Sequence, residues 1–209
     1  MQRGLRWVGL LGPLGAVGVA AAVLVAADRS GADPLTGGYL SDLGASGGPG
    51  AGAFRVGLVA AALACLGVAV ALASRVRWRD PRVVLLVVAA VDLAAQTVVR
   101  CDGPCRLPVA DGAVPSADLG HFVVAAAGFA LWVGVTALDV VDPQPVALRA
   151  SMAATTSYAV HLTLLGTLLL VDPYGEPAAL LQRTLVLTGL AWTAGVGVVL
   201  ATRPSTSPD

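Results

Sequence analysis

Cys101 and Cys105 stand four residues apart in the stretch VVRCDGPCRLP, directly after Arg100. Thiols at this spacing can hold a metal, exchange electrons or clasp the chain. Two thiolates are too few donors for a closed zinc site, and the adjacent Asp102 brings only a third. Redox pairs usually read C-x-x-C, and this pair is C-x-x-x-C. The choice depends on the compartment, because disulfides persist in oxidising surroundings.

The other residues able to do chemistry are polar groups in apolar surroundings. Asp92 lies in LLVVAAVDLAAQTVV, with Gln96 and Arg100 at i+4 and i+8, so a helix puts all three on one face. An Asp at the centre of a membrane helix costs about 2.5–3.5 kcal/mol on insertion scales, so it faces the bundle interior and marks a candidate site. The competing role is a hydrogen bond to a neighbouring helix that fixes packing. His161, in TTSYAVHLTLLG, follows Ser157 at four residues and Tyr158 at three, and packing competes with chemistry there too. His121 follows Asp118 by three residues, and the carboxylate offers it a partner. Ser41 and Asp42 open SDLGA in a Gly-rich stretch, where such residues also cap helices and bond nearby backbone.

Ser41, Asp42, Asp92, His121 and His161 are the residue types of a metal-dependent or acid–base hydrolase. Such an enzyme would use His121 or His161 as base and Asp92 as partner or metal ligand. Ser41, Asp42, Gln96, Arg100 and Asp102 are then candidates for ligand binding. The sequence has no H-E-x-x-H, G-x-S-x-G or phosphate loop, so residue types stand here without a diagnostic spacing. No cofactor is required, although a metal at this group is chemically compatible.

These residues must be positioned by a very apolar chain. Of 209 residues 56% are hydrophobic and 12% charged, with mean hydropathy +0.80. Soluble domains carry about 25% charged residues. Net charge is zero, which gives nucleic acid no basic field. All 13 basic residues are Arg, a bias that hints at GC-rich bacterial coding.

Six apolar runs stand out: Trp7–Ala27, Phe54–Ser74, Val83–Val99, Leu119–Leu138, Ala150–Val171 and Ala178–Ala201. A helix needs about 20 apolar residues to cross a bilayer, with a range of about 17–25. The expected fold is an all-α integral membrane bundle of six transmembrane helices over residues 1–202, with a disordered cytoplasmic tail at 203–209. The first run follows a basic MQRGLR and could be a cleaved signal peptide, but its length favours a retained helix. Its Gly9, Gly12, Gly15 and Gly18 offer neighbours a close-packing surface. Pro13 is placed to kink it.

Arginine sets the orientation. SRVRWRDPR carries four arginines in one short loop, which puts it and both termini in the cytoplasm. The cysteine loop and SDLGA then face outward from the plasma membrane. On that side a structural clasp is the favoured state of Cys101 and Cys105, worth about 2 kcal/mol for so short a loop. Trp7 and Trp78 read as interfacial anchors. Trp132, Trp192 and Cys65 read as packing residues. Asp92 and His161 come out nearly level, at about 15 and 18 Å above the inner edge, and are expected to line one polar pocket.

Three stretches together resemble a family. GGYLSDLGASGGPGAGAFRVGLV, RCDGPCRLP and ADLGHFVVAAAGFAL are similar to the Ser-Asp/Glu-Leu-Gly-Ala signature, the Cys-Asp-x-x-Cys loop element and the helix-four His of the six-helix bacterial membrane proteins called domain of unknown function 998. The resemblance implies that Ser41, Asp42, Cys101, Asp102, Cys105 and His121 are the family positions. In layout that family is similar to the Frag1/DRAM/Sfk1 proteins, some of which are tied to lipid-anchor remodelling or autophagy. The functional expectation is a polytopic membrane protein with an outward-facing polar pocket that binds, senses or processes a lipid or lipid-linked ligand. The alternatives are a proton-coupled carrier using Asp92 and His161, and a non-catalytic scaffold. The sequence does not name a protein partner.

Overall fold

The computed structural model describes residues 5–35, 37–102, 105, 116–142, 146–171 and 176–203, without the side chains of Arg6 and Ser116. The expected tail beyond Arg203 lies outside the described residues. A 3-10 turn, Arg6–Leu10, runs into α1, Leu11–Ser30. The short α2 is Leu40–Leu43, and α3 is Ala51–Ala73. Then come α4 (Pro81–Ala95), α5 (Ser116–Val141), α6 (Leu148–Val171) and α7 (Glu176–Thr202). No strand occurs among the described residues. An apolar chain in lipid must satisfy its own N–H and C=O groups, and the helix does so within each segment.

Five of these helices are long and apolar enough to cross a membrane: the segment Trp7–Ser30, then α3, α5, α6 and α7. The third apolar run departs from expectation. Asp80 caps α4 by accepting the Arg82 N–H, and Pro81 opens the helix. Beyond Ala95 the bonds tighten to i→i+3 at Thr97 and Val98. Fifteen regular residues rise only about 22 Å, short of the roughly 30 Å hydrocarbon core. The expected helix over 83–99 is therefore regular only as far as Ala95.

The long helices form a closed ring. α1 packs between α3 and α7, α4 between α3 and α5, and α6 between α5 and α7, while α3 also touches α7. Small residues permit the tight contacts of α1, as its glycine pattern implies. A Cβ at Gly12 would lie 2.6 Å from the Thr193 carbonyl oxygen, and one at Gly15 would lie 2.7 Å from that of Ala60. Pro13 sits in the first turn of α1, directly after the 3-10 turn Arg6–Leu10. The interior is filled by Cys65, Val68, Leu72, Leu86, Tyr158, Leu185, Trp192 and Leu200, among others. Outward faces carry exposed Leu14, Val17, Val56, Val91, Val123 and Leu170. Lipid accommodates such faces and water does not, so the chain is a multi-pass membrane protein.

The ring has two ends. One gathers Arg75, Arg82, Asp139, Ser151 and Leu200. The other gathers α2, Val99, Cys101, His121 and Gln182.

Candidate functional site

At the α2 end, the segment LSDL is a four-residue helix seated on the bundle, with Gly44 as its C-cap. Asp42 holds it from two sides. Its Oδ2 accepts the Tyr39 N–H at 2.9 Å, and its Oδ1 accepts the Cys105 N–H at 2.8 Å. Burial pushes the Asp42 carboxyl above the ordinary carboxylate value, against the pull of these two N–H groups and of Arg183. Gly44 lies under Phe54, where a Cβ would come 2.5 Å from ring atom Cδ1, so only glycine fits beside the ring. Two residues of α7 that the sequence did not single out complete the anchorage. Gln182 accepts the Leu40 N–H at 2.8 Å, and buried Arg183 donates to the carbonyls of Pro34 and Gly38. Neither has a local signal, because each partner lies more than a hundred positions away in the chain.

The cysteine segment docks beside this helix. The Cys101 and Cys105 Sγ atoms lie at 2.05 Å and their Cα atoms at 5.4 Å. The Cys101 carbonyl accepts the Ser46 N–H, so the segment is tied to the SDLGA loop twice. Asp102 is exposed. Donor atoms of Cys101, Cys105 and His121 all lie within 4.8 Å of one another. As thiolates the two sulfurs would join His121 in a three-donor set suited to a borderline cation such as zinc. As a disulfide they offer no thiolate.

His121 departs from its expected partner. Its Nδ1 lies 3.1 Å from the Val99 carbonyl oxygen, not on Asp118, which is buried with Oδ1 unpartnered. A carbonyl can only accept, so Nδ1 carries the proton, and the neutral ring then keeps its lone pair on Nε2. That is the tautomer a general base or a metal ligand requires.

A cavity of about 110 Å³ lies beneath, lined by residues of all seven helices, Tyr158 being the contribution of α6. Its walls are mainly apolar, with Val23, Leu58, Leu93, Phe129 and Leu190 among them. Ser41, Gln96, His121 and Gln182 also line it. A smaller recess adjoins it, sharing Ser41, Phe54, Leu58, Gln96 and His121 and adding Arg55 and Arg100. Gln96 and Arg100 thus meet at one recess, as their spacing suggests.

Asp92 and His161 are not brought together. Asp92 accepts from Gln96 at 2.8 Å and abuts Gly128 of α5. His161 Nδ1 lies 2.8 Å from the Ser157 carbonyl, and the Ser157 hydroxyl meets that of Thr188 on α7 at 3.1 Å. No bond joins the two groups among the described residues, neither residue lines the cavity, and α5 stands between α4 and α6. The described contacts thus give Asp92 and His161 separate partners. Equal depth along two helices does not fix which way each side chain turns.

The opposite end holds a polar cluster that sequence reading missed. Arg82 pairs with Asp80 at 2.9 Å, Asp139 at 3.1 Å and Asp142 at 3.1 Å. Asp139 also accepts the N–H groups of Val146 and Ala147 and the Ser151 hydroxyl. Ser151 in turn accepts the Trp192 indole N–H at 2.8 Å, so Trp192 is a hydrogen-bonding residue as well as a packing one. The network joins α4, α5, α6 and α7.

No curated protein and no solved structure matches the chain. One family model does, over residues 11–199, from α1 almost to the end of α7 and therefore across both polar ends of the ring. The chain belongs to the family described as protein of unknown function, DUF998.

Proposed function

We propose that the protein is a six-span plasma-membrane protein whose α2 end faces outward and whose cavity binds or processes a lipid or lipid-linked ligand. The observation that carries this is the cavity's two-part lining. Ser41, Gln96, His121 and Gln182 line it together, and the rest of its wall is mainly apolar. Such a lining suits an amphiphile, since apolar walls take a chain and a few placed polar groups orient its head. α4 is the sixth span, completed by the tightened turn to Val99. The orientation rests on the arginines around Arg75–Arg82, which mark a cytoplasmic edge. On the outward side Cys101 and Cys105 are oxidised to each other. Where the ligand is processed, the His121 Nε2 lone pair is the base.

Native mass spectrometry of the purified protein after detergent washing tests the binding. A retained lipid adduct is expected, and Ala125→Phe, which fills the cavity wall, should lose it. A wild type without any adduct after mild washing would overturn the reading. Orientation is tested with Val76→Cys in a background free of native cysteines. This position should resist an impermeant thiol reagent in intact cells, and rapid labelling would invert the map.

A further inference from the structure

We infer that Arg55 and Arg100 form a headgroup subsite for an oxyanion carried on an apolar chain, such as a phosphorylated or carboxylate-bearing lipid. The inference rests on the amphiphile reading above and names its ligand class. Both arginines line the recess that adjoins the apolar cavity. The Nε of each is shut off from solvent and has no hydrogen-bond partner among the described residues. Neither guanidinium makes an ion pair among the described residues, where the salt bridges all centre on Arg82. No carboxylate among the described residues lies within ion-pair distance of either arginine. Asp42 spends both oxygens on backbone N–H groups, and Asp92 is bonded to Gln96.

An arginine that only snorkels keeps its head in water. These two hold theirs partly inside the protein, which is costly unless an anion completes the site. Guanidinium forks suit phosphate and carboxylate in bidentate fashion. The recess also presents Ser41, whose hydroxyl can donate to a further oxygen. The shared lining of recess and cavity, Phe54 and Leu58 included, leads from the cationic part into the apolar part. A single ligand with an anionic head and an alkyl tail satisfies both.

The test uses the full-length protein in a nonionic detergent micelle and two probes with the same diazirine-bearing acyl chain. One is a lysophosphatidic acid and the other an uncharged monoacylglycerol. Crosslinked residues are mapped by mass spectrometry. The acid probe should label cavity residues of α1 and α3, such as Val23 and Leu58, well above the uncharged one. Arg55→Gln and Arg100→Gln should each cut that labelling about tenfold, the worth of a charge-assisted bond. Arg55→Lys should keep part of it. Monoacylglycerol labelling should be unchanged in all three variants, which also shows that they fold. Equal cavity labelling by both probes, indifferent to the arginines, would overturn the subsite and leave the cavity reading standing. No cavity labelling by either probe would overturn both. Unlabelled lysophosphatidic acid should displace the acid probe at concentrations where inorganic phosphate does not. Equal displacement by phosphate would overturn the lipid source of the oxyanion.

Discussion

Arg82 and Asp139 meet at 3.1 Å with their side chains only 4% and 3% exposed, although 57 positions separate them in the chain. Removing one member of a buried pair leaves an uncompensated charge, which costs about 3–5 kcal/mol. Arg82→Met should therefore destabilise the protein by about that much in detergent unfolding. Asp139→Ala should cost a similar amount, because the Ser151 hydroxyl and two backbone N–H groups also lose their acceptor. A loss under about 1 kcal/mol for both would mean that water already satisfies this cluster.

Asp80 gives the same cluster a pH dependence. Its hydrogen bond to Arg82 holds its carboxyl below the ordinary carboxylate value. A depressed value in the folded state means stability that is complete above the unfolded value of about 3.9 and is lost as pH falls through the folded value. Asp80→Asn keeps a good helix cap but removes the charge. The variant should be less stable than wild type by about 1–2 kcal/mol at neutral pH. The gap should close in strong acid. Melting temperatures from pH 7 down to pH 2 check this, and a gap that widens in acid would contradict the sign.

The helices were legible because lipid leaves the backbone few options and because each span is encoded by its own residues. The end of α4 was not, since the tightening after Ala95 changes no apolar residue. Within the site, Ser41, Asp42 and the cysteine pair drew notice through type and spacing. The partner of His121 did not follow from spacing. Asp118 is the local candidate, yet the carbonyl that meets the ring comes from Val99, 22 positions back. Arg82 read only as a topological charge. Burial and long-range partners, which decide its role, are tertiary facts.

The packing of α1 makes a paired prediction. At Gly12 an added methyl would press on the Thr193 carbonyl, whereas at Gly195 it meets nothing within 4 Å. The same Gly→Ala change should thus have opposite outcomes. Gly12→Ala should cost about 1–3 kcal/mol as α1 shifts off α7. Gly195→Ala should be neutral or slightly stabilising, since alanine is the better helix former by about 1 kcal/mol. Thermal unfolding of the two variants side by side decides it, and equal losses would argue against close α1–α7 contact.

Cys101 and Cys105 should be found oxidised to each other. Their Cα separation of 5.4 Å lies within the range a disulfide spans. Mass spectrometry of an alkylated, unreduced digest shows it directly. Cys101→Ser should lower stability by about 2 kcal/mol, with Cys105 keeping its bond to Asp42. Full alkylation of both thiols in freshly isolated membranes would overturn the clasp. The sulfurs would then be available with His121 as a metal donor set.

The last prediction separates Asp92 from His161. Each has its own partner: Gln96 at 2.8 Å for Asp92, and the Ser157 carbonyl at 2.8 Å for His161. Their helices are not ring neighbours, and each side chain points at a different one, Asp92 at α5 and His161, through Ser157, at α7. A proton relay needs a hydrogen-bonded path, and none joins them among the described residues. Stability losses of Asp92→Ala and His161→Ala should therefore add within about 0.5 kcal/mol. Asp92→Ala and Gln96→Ala should instead couple by about 0.5–3 kcal/mol, because they share one bond. A short crosslinker should fail to bridge Asp92→Cys and His161→Cys. Strong coupling between Asp92 and His161, with a crosslink in good yield, would return the two to one pocket and revive the carrier mechanism.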